Sequence, residues 1–85
     1  MHHYIVSPTR RSARTVLLQL REAGFDASMF ENPTAQGWIV VAERREPLDH
    51  ETLQLSRSLL ELIADRNGAD YDGWRTDLLA SEELS

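Results

Sequence analysis

Trp38-Ile39-Val40-Val41-Ala42 is apolar at all five positions and rich in β-branched residues. Such a run suits extended backbone, and a strand apolar on both faces belongs inside a sheet. Upstream, Phe25 to Phe30 reads as a second strand, with Phe25, Ala27 and Met29 on one face and Asp26 and Ser28 on the other. Phe30 breaks that alternation and marks an end or a bulge. Between the two runs, Glu31-Asn32-Pro33-Thr34-Ala35-Gln36-Gly37 is turn material of hairpin length, holding both proline and glycine.

Outward from this hairpin, each side carries a helix and then a strand. Ala13, Val16, Leu17, Leu20 and Ala23 form one apolar stripe at helical spacing, which Gly24 terminates. Ser7 reads as its N-cap with Pro8 at the first helical position, and Thr9 is the competing cap. On the other side Asp49 caps a second helix, and Leu48 can pack on Leu53 as a hydrophobic staple. Its expected buried stripe is Thr52, Leu55, Leu59 and Leu62, widened by Ile63, and Asn67-Gly68 ends it. His2 to Val6 reads as a short strand before the first helix, and Ala69 to Tyr71 as a short edge strand after the second.

The order strand, helix, strand, strand, helix, strand predicts a ferredoxin-like βαββαβ sandwich, an α+β fold. It has a four-stranded antiparallel sheet with both helices on one face. A single domain is expected over 1–74, followed by an acidic C-terminal tail over 75–85 in which Leu78 and Leu79 could support a loose turn or helix. A chain of 85 residues buries only about 60% of its unfolded surface, so the core is thin.

Composition narrows the function classes. There is no cysteine, which removes disulfides and thiolate metal sites. No run approaches the ~18 apolar residues of a membrane span, and the N-terminus lacks a signal-peptide pattern. A cytoplasmic protein is expected. The net charge of −5 is unevenly spread. Residues 1–45 hold six arginines against four acids, whereas residues 46–85 hold ten acids against three arginines. An acidic second half repels a phosphate backbone and suits a basic protein partner.

Catalytic and metal chemistry find little support. Adjacent His2 and His3 point to opposite strand faces and cannot easily share an ion, and His50 lies in a helix's first turn. No serine has a neighbouring histidine and acid, and four glycines supply no phosphate loop. Asp70 and Asp72 fall at i, i+2 on an edge strand, a poor place for acid–base work. Neither an enzyme nor a resident cofactor is expected. The RNA-recognition motif shares this element order, but here the corresponding strand has one aromatic, Trp38, and no basic residue before Arg44. Trp38 is thus either a stacking platform on an open sheet face or a core or dimer-interface residue, and direct nucleic-acid binding is not expected.

Two groups remain as contact candidates. Arg10, Arg11 and Arg14, with Arg21 further on, cluster around the first helix, as a solvated face or as a docking patch. Tyr71-Asp72-Gly73-Trp74 sets two large aromatics around an acid and a glycine. That grouping implies a backbone reversal at the glycine. It can lock the terminal strand to the sheet, with Asp72 accepting from the turn's N–H groups, or serve as a binding hot spot. The two roles are compatible.

The stretch from Leu48 to Trp74 resembles the family of the regulator of ribonuclease E activity B, a bacterial ribonuclease E inhibitor. The resemblance rests on Tyr71-Asp72-Gly73-Trp74, preceded by Ala64-Asp65-Arg66-Asn67-Gly68-Ala69-Asp70. Ala23-Gly24-Phe25-Asp26-Ala27 and Trp38-Ile39-Val40-Val41 extend it over about residues 4–74. It implies a ferredoxin-like domain that docks on a ribonuclease E-type endoribonuclease, outside its catalytic centre, and lowers RNA cleavage without chemistry of its own. The contact surface read from the residues themselves is Asp70, Tyr71, Asp72, Gly73 and Trp74, with Arg10, Arg11, Arg14 and Trp38 as a secondary patch. Better-known members carry a longer, more acidic N-terminal portion and lack arginines on the first helix, which leaves the partner's identity open. A self-associating (homodimeric) or small-ligand-binding ferredoxin-like module is the rival class.

Overall fold

The doubly apolar strand does lie inside the sheet. The protein, seen in a computed structural model that describes residues 2–45 and 49–75, runs β1 (His2–Ser7), α1 (Arg10–Glu22), β2 (Asp26–Glu31), β3 (Trp38–Glu43), α2 (His50–Arg66) and β4 (Asp70–Arg75). The sheet order is β2-β3-β1-β4, and every neighbouring pair is antiparallel. α1 lies over β2 and β3, and α2 lies over β4 and β1. This is the expected ferredoxin-like α+β sandwich.

Cross-strand partners share a face, so the register sorts the side chains. Ile5 opposite Val40, His3 opposite Ala42 and Ser7 opposite Trp38 all point to the helices. Val6 opposite Ile39, Tyr4 opposite Val41 and His2 opposite Glu43 point away. The core joins Ile5, Val40 and Ala42 to Ala13, Val16, Leu17 and Leu20 of α1 and to Leu60, Ile63 and Ala64 of α2. Phe25 and Ala69, just before β2 and β4, complete it.

Four local expectations are corrected. Thr9, not Ser7, caps α1, its hydroxyl accepting from the Ser12 N–H at 3.1 Å. Ser7 is instead the last residue of β1, its side chain buried on the helix side. Phe30 marks neither an end nor a bulge, because β2 pairs regularly with β3 through Glu31. Phe30 simply continues the outward row of Asp26 and Ser28 and is exposed.

The third correction concerns α2. Its buried residues are Ser56, Leu60, Ile63 and Ala64, while Leu55 and Leu62 are 68% and 48% exposed. Leucines line two adjacent stripes on this helix, so counting them does not choose between the stripes. Arg44, just past β3, helps decide. Its Nη2 donates to Ser56 Oγ at 3.2 Å and its Nη1 to the Ala23 carbonyl at 3.4 Å. The guanidinium also stacks 4.0 Å from the Phe25 ring centroid, a cation–π contact that favours the planar arginine. One side chain thus ties the end of β3 to both helices, and a small hydroxyl suits the seam better than a leucine. A fourth departure lies in β4, which runs on past Tyr71 to Arg75. Leu48, Leu78 and Leu79 lie outside the described residues.

Asp49 caps α2 as expected, accepting from the Thr52 N–H at 2.8 Å and the Thr52 hydroxyl at 3.0 Å. The Thr52 N–H first, and then its hydroxyl, hold this carboxyl below its ordinary range. The cap's contribution is therefore complete above the unfolded-state value and is lost as pH falls through the lower folded-state value.

Gly37 closes the β2–β3 turn, its carbonyl accepting from the Asn32 N–H at 3.0 Å. Its φ is +114°, and a Cβ there would sit 2.7 Å from the Ser7 carbonyl oxygen. Both facts demand glycine. Gly37→Ala should cost about 1–3 kcal/mol in strain. Thermal unfolding followed by circular dichroism should show a midpoint about 4–8 °C lower per kcal/mol lost. An unchanged midpoint would mean the turn relaxes freely.

Candidate functional site

β4 contains one residue more than β1 can pair. Val6 lies opposite Asp70 and Ile5 opposite Tyr71, but Tyr4 lies opposite Gly73 and His3 opposite Trp74. Asp72 is the extra residue of a β-bulge, and Gly73 takes φ +108° beside it. The quartet Tyr71-Asp72-Gly73-Trp74 therefore does not reverse the chain after a short strand. It lies within β4, which runs from Asp70 to Arg75 rather than ending at Tyr71.

The bulge changes which way the aromatics point. In a regular strand, residues three apart face opposite sides. Here Tyr71 shares a face with Ile5 and Trp74 with His3, and both partners are buried beneath the helices. Tyr71 and Trp74 thus meet on the helix side of the sheet edge, where α2 presents Arg57 and Glu61. These residues, with Asp72 and Gly73, line an open groove of about 440 Å³ between α2 and β4.

Tyr71 is anchored from below. Its Oη lies 2.9 Å from His3 Nδ1, a hydrogen bond whose donor is set by the imidazole tautomer. The His3 ring is fully buried and meets Phe25 edge-on, with centroids 6.0 Å apart and planes at 85°. A fixed phenol costs little ordering entropy when a partner arrives. Trp74 is 38% exposed, leaving ring surface for contact. On the α2 wall, Arg57 Nε and Glu61 Oε2 are 3.1 Å apart, with both side chains about half exposed. An exposed i,i+4 pair is worth about 0.3–0.5 kcal/mol, so either member can be re-partnered cheaply.

Asp72 is exposed and lines the groove. Its expected hydrogen bonds from a turn do not form among the described residues. Asp70 is also exposed but pairs with Val6, on the sheet face away from the helices. The floor is thus aromatic, and the rim carries carboxylates with one guanidinium. Such a surface can take an apolar side chain flanked by basic groups.

The second candidate group lies at the opposite edge. Trp38 faces the helices opposite Ser7 and packs against the core: of its two readings the core one holds, and the stacking platform on an open face does not. The Arg10 guanidinium carbon lies 5.8 Å from its ring centroid. Arg10 and Arg14 line one groove with Trp38. Arg11 does not, and its carbonyl accepts from the Thr15 hydroxyl at 3.1 Å. The two proposed contact groups are therefore separated by the width of the sheet. His2 and His3 do point to opposite faces, His2 standing 3.4 Å from Glu43.

Three participants escaped the sequence reading: His3, Arg57 and Glu61. The i,i+4 spacing of Arg57 and Glu61 is visible in the sequence, but not the strand they face. Removing the Tyr71 hydroxyl tests the anchor. Tyr71→Phe should lower stability by about 1 kcal/mol, the worth of one such hydrogen bond, in urea unfolding. No change would show that the contact does not hold the ring.

Comparison with protein families finds a match over residues 1–76 to the model described as regulator of ribonuclease activity B. Comparisons with curated proteins and with solved structures find no match. The family match spans the whole sheet, both helices and the bulged quartet. The chain belongs to the regulator of ribonuclease activity B family.

Proposed function

We propose that the protein is a non-catalytic, cytoplasmic regulator of bacterial RNA turnover. It binds a ribonuclease E-type endoribonuclease through the α2–β4 groove and slows its cleavage of RNA. The observation that carries this reading is the bulge, which sets Tyr71 and Trp74 on one side of the sheet as the aromatic floor of the groove. Aromatics of this kind, part-buried and held in place, are common anchors of protein interfaces. The surplus of seven acids over residues 46–85 supports a basic segment of the ribonuclease as the bound element. Among the described residues, no helix is long and apolar enough to cross a membrane.

A second reading has one observation in its favour. The sheet face away from the helices carries an apolar row of Phe30, Ile39 and Val6, with Phe30 exposed. Self-association through this face would give a homodimer, which light scattering at low micromolar concentration would detect and Phe30→Glu would dissociate.

The main reading predicts that the recombinant protein co-purifies with the ribonuclease and slows its cleavage of a model RNA. Trp74→Ala should weaken binding by about 2 kcal/mol or more, roughly thirtyfold. Asp72→Arg, at an exposed position, should weaken it with the melting temperature unchanged. Wild-type protein that neither binds the enzyme nor slows cleavage would refute the reading.

A further inference from the structure

On α1, Arg10, Arg14, Leu17, Leu18 and Arg21 recur at i, i+4, i+7, i+8 and i+11, one continuous face. That face overhangs the β2–β3 edge, where Met29 and Trp38 also point to the helix side. Together they line a groove of about 330 Å³ that contains three guanidinium groups and no carboxylate. Among the described residues, none of the three arginines pairs with an acid. Arg21 is held by donating to the Ala27 carbonyl at 2.9 Å, and Arg10 stands over Trp38.

Folding alone does not ask for this charge. The N-terminus of a helix carries the positive end of its dipole and favours acids. The first turn of α1 has none, and Arg10 and Arg11 occupy it. Helix stability is thus given up to concentrate positive charge beside an apolar floor, in a protein whose net charge is −5.

We propose that this groove is a second docking site, taking an acidic peptide segment with an apolar anchor from a protein partner. The carboxylates would meet Arg10 and Arg14, and the anchor would enter between Leu18, Met29 and Trp38. Leu18 is 49% exposed and gains most from being covered. A nucleic acid fits less well. Arg10 lies over the Trp38 ring that a base would stack on, and aliphatic side chains line much of the rest. The site lies at the opposite sheet edge from the α2–β4 groove and does not depend on ribonuclease binding.

The test uses the full chain carrying Trp74→Phe, so that Trp38 is its sole tryptophan. The probe is a synthetic peptide of glutamates around a central leucine pair, with a glutamine-for-glutamate peptide as control. The acidic peptide should change Trp38 emission saturably, and the glutamine peptide should not. Affinity should fall at least about tenfold in the R10E/R14E variant, whose substitutions sit at exposed positions, with circular dichroism unchanged. It should also fall as salt rises from about 50 to about 300 mM. No saturable change at millimolar peptide, equal binding by R10E/R14E, or tighter binding of an oligouridylate than of the peptide would overturn the proposal.

Discussion

The surplus residue in β4 is the constraint on which the candidate site depends. Without it, Tyr71 and Trp74 would face opposite sides of the sheet, one towards α2 and one away. With it, Asp72 is turned out to water and both aromatics join the helix side. Gly73 makes this possible because its positive φ strains any residue with a Cβ. Bulges at sheet edges commonly re-aim side chains in this way, and β4 is an edge strand. The bulge also interrupts the exposed ladder there, which discourages indiscriminate strand pairing.

The scaffold beneath the groove is small and held at a few points. His3 carries the phenol of Tyr71 on one side and meets Phe25 on the other. Phe25 in turn stacks under Arg44, which reaches Ser56 of α2 and the Ala23 carbonyl that ends α1. A chain of contacts therefore runs from the C-terminal end of α1 through the core to the β4 edge. In a domain whose hydrophobic core is thin, the Arg44–Ser56 bond adds to the apolar packing of Leu60, Ile63 and Ala64 that seats α2 on the sheet.

Much of the architecture is legible in the sequence, for identifiable reasons. Doubly apolar Trp38–Ala42 forces an interior strand, and the single stripe on α1 admits one orientation. α2 offers two leucine stripes, so its buried face depends on Arg44 and Ser56, a pairing invisible without the fold. The quartet at 71–74 stands out by composition, yet its geometry depends on the register against β1. Sequence spacing alone does not reveal an unpaired Asp72. Likewise Trp38 reads from the sequence as either an open-face platform or a core or interface residue. Only the register with Ser7 turns it to the helices and decides for the core. Arg57 and Glu61 belong to the groove only because α2 lies over β4.

Backbone amide shifts of isotope-labelled protein, titrated with the ribonuclease, test most directly whether the bulge-built groove is the contact surface. The largest perturbations should fall on Arg57, Glu61 and residues 71–74, with the outward sheet face and the N-terminal turn of α1 little changed. Perturbations concentrated on Phe30, Ile39 and Val6, with β4 unmoved, would contradict it.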